Sequence, residues 1–173
     1  LFLSICLQGT DVFAQIPALN WIENVGARGV PLATKTYNVT DYGAVPDAVT
    51  MNTVAIQQTI DNCADKGGGI VTFAPGNYLT GSIYLKEGVH LIIPKGVTLL
   101  GSTDINDYPD IATRMAGTEM NWPSALINVL NQKNVVISGE GTINEQGKCF
   151  WDKYWTMRNE YETKGLRWVV DQD

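Results

Sequence analysis

The chain has 173 residues, of which 45% are hydrophobic and 17% charged, and its formal net charge is −6 at pH 7. This length corresponds to about one domain, and the hydrophobic fraction excludes a chain that is disordered throughout. The acidic balance argues against a nucleic-acid partner, and one histidine with three cysteines offers little material for a zinc site.

The first 14 residues resemble the end of a secretory signal. Leu1 to Leu7 form an apolar run that is far shorter than the ~20 residues needed to span a bilayer. Val12-Phe13-Ala14 before Gln15 fits a signal-peptidase site. A frayed apolar terminus is the alternative. We therefore expect an exported protein, periplasmic or extracellular, with no transmembrane segment and a lead-in over residues 15–36.

One helix is predicted in the first half of the chain, over residues 51–66. Thr50 or Asn52 can cap its start, and the Gly67-Gly68-Gly69 triplet ends it because glycine adopts the left-handed conformation without steric cost. The apolar positions that recur at roughly helical spacing are Val54, Ile56, Ile60, Cys63 and Ala64. We interpret Cys63 as a small buried hydrophobe.

Short β runs make up most of the remaining sequence. They are predicted at residues 37–39, 70–73, 78–85, 90–93, 97–100, 125–130, 135–138 and 142–143. Residues 91–96 resemble residues 136–141, an offset of 45 positions that would correspond to two coils of 20-odd residues. A coiled parallel stack fits this pattern best, and a β-sandwich is the alternative.

Two excursions interrupt the β runs. Residues 101–124 are predicted to form a projecting loop without regular structure. Within it Asp104, Asp107 and Asp110 favour solvated turn residues over calcium ligands, because an EF-hand loop starting at Asp104 would lack its glycine and its glutamate. The second excursion, residues 146–168, is rich in aromatic and charged residues.

Two stretches carry a resemblance to a known family. Residues 37–60, followed by Gly68-Gly69-Ile70-Val71-Thr72-Phe73 and Pro75-Gly76-Asn77-Tyr78, resemble the first segment of pectin-degrading right-handed parallel β-helices. Residues 125–147, with Trp151 after them, are similar to glycoside hydrolase family 28, the polygalacturonases and their relatives. The sequence departs from the usual pattern at Pro46-Asp47-Ala48 and at Asn144-Glu145, which we interpret as turn variants.

The resemblance implies a fold, a substrate and a mechanism. The fold would be an all-β right-handed parallel β-helix with an N-terminal capping α-helix, occupying residues 37–173 and continuing beyond them. The protein would be an exported, monomeric hydrolase of pectic polysaccharide or oligogalacturonide, acting with inversion through two aspartates and without cofactor or metal.

The catalytic motifs that the resemblance implies do not occur in this sequence. There is no Asn-Thr-Asp, no adjacent Asp pair, no Gly-His-Gly and no Arg-Ile-Lys. The one histidine, His90, lies between apolar β residues and is expected to be structural. We therefore expect the catalytic residues beyond Asp173 and an inactive chain on its own.

Candidate substrate contacts lie in the second excursion. Trp151, Trp155 and Arg158 share one face if residues 150–161 are helical. Aromatic faces stack on sugar C–H faces, and arginine pairs with uronate carboxylates in fork geometry. Arg167 and Trp168 allow the same argument with less support. The alternative is an amphipathic helix whose aromatic residues pack on the coil.

Two further functions remain open from the sequence. One is a polysaccharide lyase, which would need a base and commonly calcium. The other is a non-catalytic, carbohydrate-binding or tailspike-type β-helix. Catalytic motifs further along the same protein would distinguish the hydrolase from both.

Overall fold

The computed structural model describes residues 35–165. In this range two α-helices, α1 (Thr53–Asp65) and α2 (Lys148–Thr163), accompany twelve strands. The strands are β1 (Thr36–Asn38), β2 (Asp47–Met51), β3 (Gly69–Thr72), β4 (Gly76–Thr80), β5 (Ile83–Tyr84), β6 (Val89–Ile92), β7 (Val97–Gly101), β8 (Asp110–Met115), β9 (Thr118–Pro123), β10 (Ile127–Asn128), β11 (Val136–Ser138) and β12 (Thr142–Asn144). No helix in this range is long and apolar enough to cross a membrane.

Most of the strands form three parallel sheets. The orders are β1-β3-β6-β11 in the first sheet, β2-β4-β7-β12 in the second and β5-β10 in the third. From β3 onward the chain visits the sheets in the same order twice and then returns to the first two. This repetition is consistent with the predicted parallel β-helix, whereas the sandwich alternative would require antiparallel sheets.

In-register pairing aligns the inward side chains of successive strands. Val71 pairs with Leu91, and Leu91 pairs with Ile137. Both Val71 and Leu91 are fully buried, whereas Ile137 is 45% exposed. In the second sheet Tyr78, Leu99 and Ile143 follow the same pattern, and Ile143 is 44% exposed. The core is therefore closed around β3 to β7 and open beside β11 and β12.

The register corrects the predicted repeat length. The two similar stretches, residues 91–96 and 136–141, overlap β6 and β11, which are directly paired neighbours and not strands two coils apart. The chain between them is long because β8 and β9 are inserted. Between β3 and β6, where no hairpin is inserted, the chain from one paired strand to the next is shorter, and Ile70 pairs with His90.

Helix α1 packs on the same core as the sheets. Ile56, Ile60 and Cys63 are fully buried in one cluster with residues of β3 and β6. Val54, which the predicted apolar stripe included, is 69% exposed and faces away from this cluster. The predicted start was also two residues early, because Met51 ends β2. The glycine triplet ends the helix as predicted.

Asn52 has a different role from the predicted cap. It occupies the position before α1, but its side chain makes no capping hydrogen bond. Instead its Oδ1 accepts from the Val45 amide at 2.7 Å, and its Nδ2 donates to the carbonyls of Val45 and Thr50 at 3.0 and 2.7 Å. A longer bond of 3.3 Å reaches the Leu79 carbonyl. The buried amide thus joins the segment before α1 to β4.

The predicted loop over residues 101–124 contains regular structure. A 3-10 helix at Ile105–Asp107 precedes an antiparallel hairpin in which Ile111 pairs with Trp122. Ala116 and Gly117 both have positive φ, as a tight two-residue hairpin turn requires. The hairpin was missed because its strands are largely exposed and lack apolar alternation. The predicted strand 78–85 is likewise two strands, β4 and β5.

A pair of glycine substitutions tests the close packing after α1. Gly67 and Gly68 both have positive φ, but a Cβ at Gly68 would lie 2.5 Å from the Gly88 carbonyl oxygen, whereas a Cβ at Gly67 meets nothing within 4 Å. We expect Gly67→Ala to lower the free energy of unfolding by about 1–2 kcal/mol. Gly68→Ala should cost about 1–3 kcal/mol more, because backbone must move. Urea denaturation measures both, and equal losses would contradict the close approach.

Candidate substrate-binding site

Helix α2 begins beside the end of β7. The helix that a shared face of Trp151, Trp155 and Arg158 requires is present, with bounds Lys148–Thr163. Gln146 precedes it, and its Nε2 donates to the Gly101 carbonyl at 2.6 Å. A Cβ at Gly101 would lie 3.0 Å from the Cα of Glu145. The absence of a side chain at Gly101 therefore lets the segment before α2 approach β7 closely.

Tyr108 and Phe150 form the aromatic contact that positions α2. Their rings meet edge to face with centroids 6.1 Å apart. Tyr108 is largely buried, and its hydroxyl donates to the Ser102 carbonyl at 2.8 Å. Burial raises the pKa of Tyr108, and the negative charges of Glu145 and Asp107 add to the effect. The phenol therefore stays protonated as a donor at neutral pH.

Three aromatic side chains of α2 form an exposed cluster. The rings of Trp151 and Trp155 meet edge to face with centroids 5.4 Å apart, and Tyr154 lies 6.0 Å from Trp151 in a stacked arrangement. Trp151 is 59% exposed and Trp155 is 36% exposed. No residue of α2 is buried. These indole faces are therefore accessible to a ligand.

Arg158 extends the aromatic cluster with a cation. Its guanidinium carbon lies 5.0 Å from the centroid of the Trp155 ring. Its Nε donates to Glu162 at 2.8 Å, and this hydrogen bond raises the pKa of Arg158, followed by one with Tyr154. The terminal nitrogens of a guanidinium carry further donors. The structure thus brings together three of the five predicted contact residues, whereas Arg167 and Trp168 lie outside residues 35–165.

Two clefts flank α2, one on each side of Phe150 and Tyr154. The first, which we call the tryptophan cleft, has a volume of about 510 Å³. Its lining residues are Trp122, Gly147, Phe150, Trp151, Tyr154, Trp155 and Arg158. Trp122 comes from β9 and belongs to both clefts. The sequence placed it in an unstructured loop and gave no signal that it would face α2.

The remaining candidate residues have local partners. A ring nitrogen of His90 lies 2.7 Å from the Ser138 hydroxyl on the neighbouring strand β11. Asp104 accepts from the Asn106 amide at 3.0 Å, and Asp107 accepts from the Ser102 hydroxyl. Asp104 and Asp107 are therefore turn residues, as predicted. Cys63 is buried, also as predicted, and burial raises the pKa of its thiol.

The family follows from a match over most of the chain. Residues 36–172 match the family described as rhamnogalacturonase A/epimerase, pectate lyase-like. The chain belongs to this family. The match begins at the first residue of β1 and includes the hairpin and α2.

Named relatives confirm the resemblance to glycoside hydrolase family 28. An exo-poly-alpha-D-galacturonosidase of Dickeya chrysanthemi is 36% identical over 121 residues, which are 65% of this chain and 20% of that protein. An exopolygalacturonase of Thermotoga maritima has a similar structure, with a TM-score of 0.62 and 30% identity over 67% of this chain and 26% of that one. A family 28 exopolygalacturonase of Yersinia enterocolitica has a TM-score of 0.57 and 36% identity over 63% of this chain and 20% of that one.

The match covers only part of each relative. The chain spans between 20% and 26% of the length of these three proteins. The relatives therefore establish the family of the chain.

Substitution of Phe150 tests what holds α2 in place. Phe150→Ala removes the edge-to-face contact with Tyr108, and such pairs contribute about 0.5–1.5 kcal/mol. We expect the amides of α2 to exchange with solvent about 2- to 10-fold faster, because local opening costs less. Trp151→Ala is the control, since this ring is exposed and its ring–ring contacts are with Tyr154 and Trp155 of the same helix. Equal exchange in both variants would mean that Phe150 does not position the helix.

Proposed function

We propose that this chain is part of an exported polygalacturonase-like glycoside hydrolase and that α2 contacts its pectic substrate. The observation that carries the proposal is the face of α2 with exposed Trp151 and Trp155 and a partly exposed Arg158, in a chain of this family. Exposed indole rings offer apolar faces to the C–H faces of sugars. A guanidinium beside them matches a uronate carboxylate in geometry and charge.

We further propose that the parallel sheets form a right-handed parallel β-helix with α1 covering its first coil. The burial of Ile56 and Ile60 against the core supports this role for α1, because stacked repeats need a covered end. At the other end the half-exposed side chains of Ile137 and Ile143 face inward. We propose that another coil covers them, so that residues 37–173 are the first coils of a longer domain.

The proposed reaction is hydrolysis with inversion. One carboxylic acid protonates the leaving oxygen while a carboxylate on the other side of the sugar activates water, with the two groups ~6.5–9.5 Å apart. The aspartate motifs that the resemblance implies for these roles do not occur in the sequence. We therefore assign both carboxyls to a part of the protein outside these 173 residues and assign α2 to binding.

Two substitutions test the binding role of α2. Trp155→Ala removes a ring and the cation–π partner of Arg158, and we expect it to weaken oligogalacturonide binding about tenfold, which corresponds to about 1.4 kcal/mol. Arg158→Gln removes the guanidinium and its charge and leaves a shorter, neutral amide side chain. This variant should weaken the binding of oligogalacturonide more than the binding of the methyl ester of the same oligosaccharide. Isothermal titration calorimetry measures both.

The matched control for these variants is Lys95→Gln, in the turn between β6 and β7. It also removes one exposed positive charge. Lys95 lies before the start of β7, whereas the segment before α2 contacts Gly101 at the other end of that strand. If all three variants bind oligogalacturonide equally, α2 does not contact this ligand. Circular dichroism of each variant verifies that the fold is retained.

The assignment of catalysis outside these residues is tested by activity. We expect the 173-residue chain to release no reducing sugar from polygalacturonate, because general acid–base hydrolysis needs two placed carboxyls. A longer form that includes the implied aspartate motifs should release it without added calcium and with inversion in proton NMR spectra. Release by the chain alone, or retention by the longer form, would contradict the proposal. An unsaturated product absorbing in the ultraviolet would identify the lyase alternative.

A further inference from the structure

The second cleft beside α2 has its own set of polar groups. It has a volume of about 640 Å³ and lies on the side of the helix that carries Cys149, Lys153 and Met157. Its opposite wall comes from Thr103, Asp104 and Ile105, and Trp122 of β9 completes it. We call it the lysine cleft. None of the three predicted contact residues that the structure describes, Trp151, Trp155 and Arg158, lines it.

Lys153 differs from the other cations of α2. Lys148 is paired with Asp152, and Arg158 is paired with Glu162, each four residues further along the helix. Lys153 makes no ion pair with any residue in the range 35–165. An exposed ammonium at the wall of a cleft, without an intramolecular carboxylate, is available to an anionic group of a ligand.

The walls of the lysine cleft also offer surfaces for a sugar ring. Trp122 is 39% exposed, and Tyr154 from α2 lines the same cleft. Oδ1 of Asp104 accepts both hydrogen bonds from Asn106, at 3.0 and 2.8 Å. Within the described range Oδ2 of this carboxylate makes no hydrogen bond and is therefore an acceptor for a hydroxyl group.

We propose that the lysine cleft binds a uronate residue of an oligosaccharide, separately from the tryptophan cleft. Trp122 and Tyr154 contact the C–H faces of the sugar, Lys153 pairs with its carboxylate, and Asp104 accepts from a ring hydroxyl. The choice of a uronide as ligand rests on the proposed function. Because Trp122 lines both clefts, one oligosaccharide can extend from one cleft to the other across β9.

The test uses an oligogalacturonide and its methyl ester, which has the same rings without the charges. Lys153→Gln should lower the affinity for the oligogalacturonide about threefold, which is the effect expected of an exposed ion pair. The affinity for the methyl ester should stay unchanged. The difference should disappear near 1 M salt, where such pairs are screened. Trp122→Ala should lower the affinity for both ligands. Lys95→Gln, which removes an equal charge away from α2, should change neither.

The outcomes separate this inference from the proposed function. If Trp155→Ala weakens binding and Lys153→Gln does not, the binding role of the tryptophan cleft is supported and the proposal for the lysine cleft is wrong. If Lys153→Gln still weakens the oligogalacturonide in the Trp155→Ala background, the lysine cleft is supported as a separate site. If the unsubstituted chain binds neither oligogalacturonide nor methyl ester, both proposals fail. Lys153 is exposed and makes no ion pair with the residues that the structure describes, so we expect its substitution to leave the fold intact.

Discussion

The structure depends on the in-register stacking of parallel strands. Each inward side chain is covered by the side chain at the same position of the next strand, as Leu91 is covered by Val71 and Ile137. A shift of one residue would turn the apolar set of a strand to the opposite face. The turns therefore have to bring every strand back with the same side chains facing the core. The hydrogen bonds of the buried Asn52 and the close approach of Gly68 to Gly88 fix two of these turns.

This constraint explains where an additional segment can be inserted. The hairpin β8–β9 and α2 leave the stack at strand ends, where the pairing of β7 with β12 is not interrupted. Tyr108 and Gln146 hydrogen-bond these segments to the carbonyls of Ser102 and Gly101 at the end of β7. The aromatic residues that we assign to binding therefore lie on segments outside the stacked strands, where function commonly resides.

The sequence predicted those features that depend on local pattern. Apolar runs located most of the parallel strands, and the glycine triplet marked the end of α1. The shared face of Trp151, Trp155 and Arg158 was conditional on a helix, and α2 is present there. The sequence failed where tertiary contacts decide: Val54 is exposed because the core lies on the other face of α1, and the repeat length was wrong because the hairpin lengthens one turn. Neither cleft was predicted, because Trp122 of β9 and the residues of α2 are separated in the sequence and lie together only in the folded structure.

The central claim is that the aromatic residues beside α2 contact a pectic oligosaccharide. The indole N–H groups of Trp122, Trp151 and Trp155 report on this directly in proton–nitrogen NMR spectra, because each lies at the wall of a cleft. Titration with oligogalacturonide should shift these three signals until they saturate. The amides of the buried core, such as those of Val71 and Leu91, should stay unchanged. Unchanged indole signals at saturating oligosaccharide, or shifts confined to the face around His90 and Ser138, would contradict the claim.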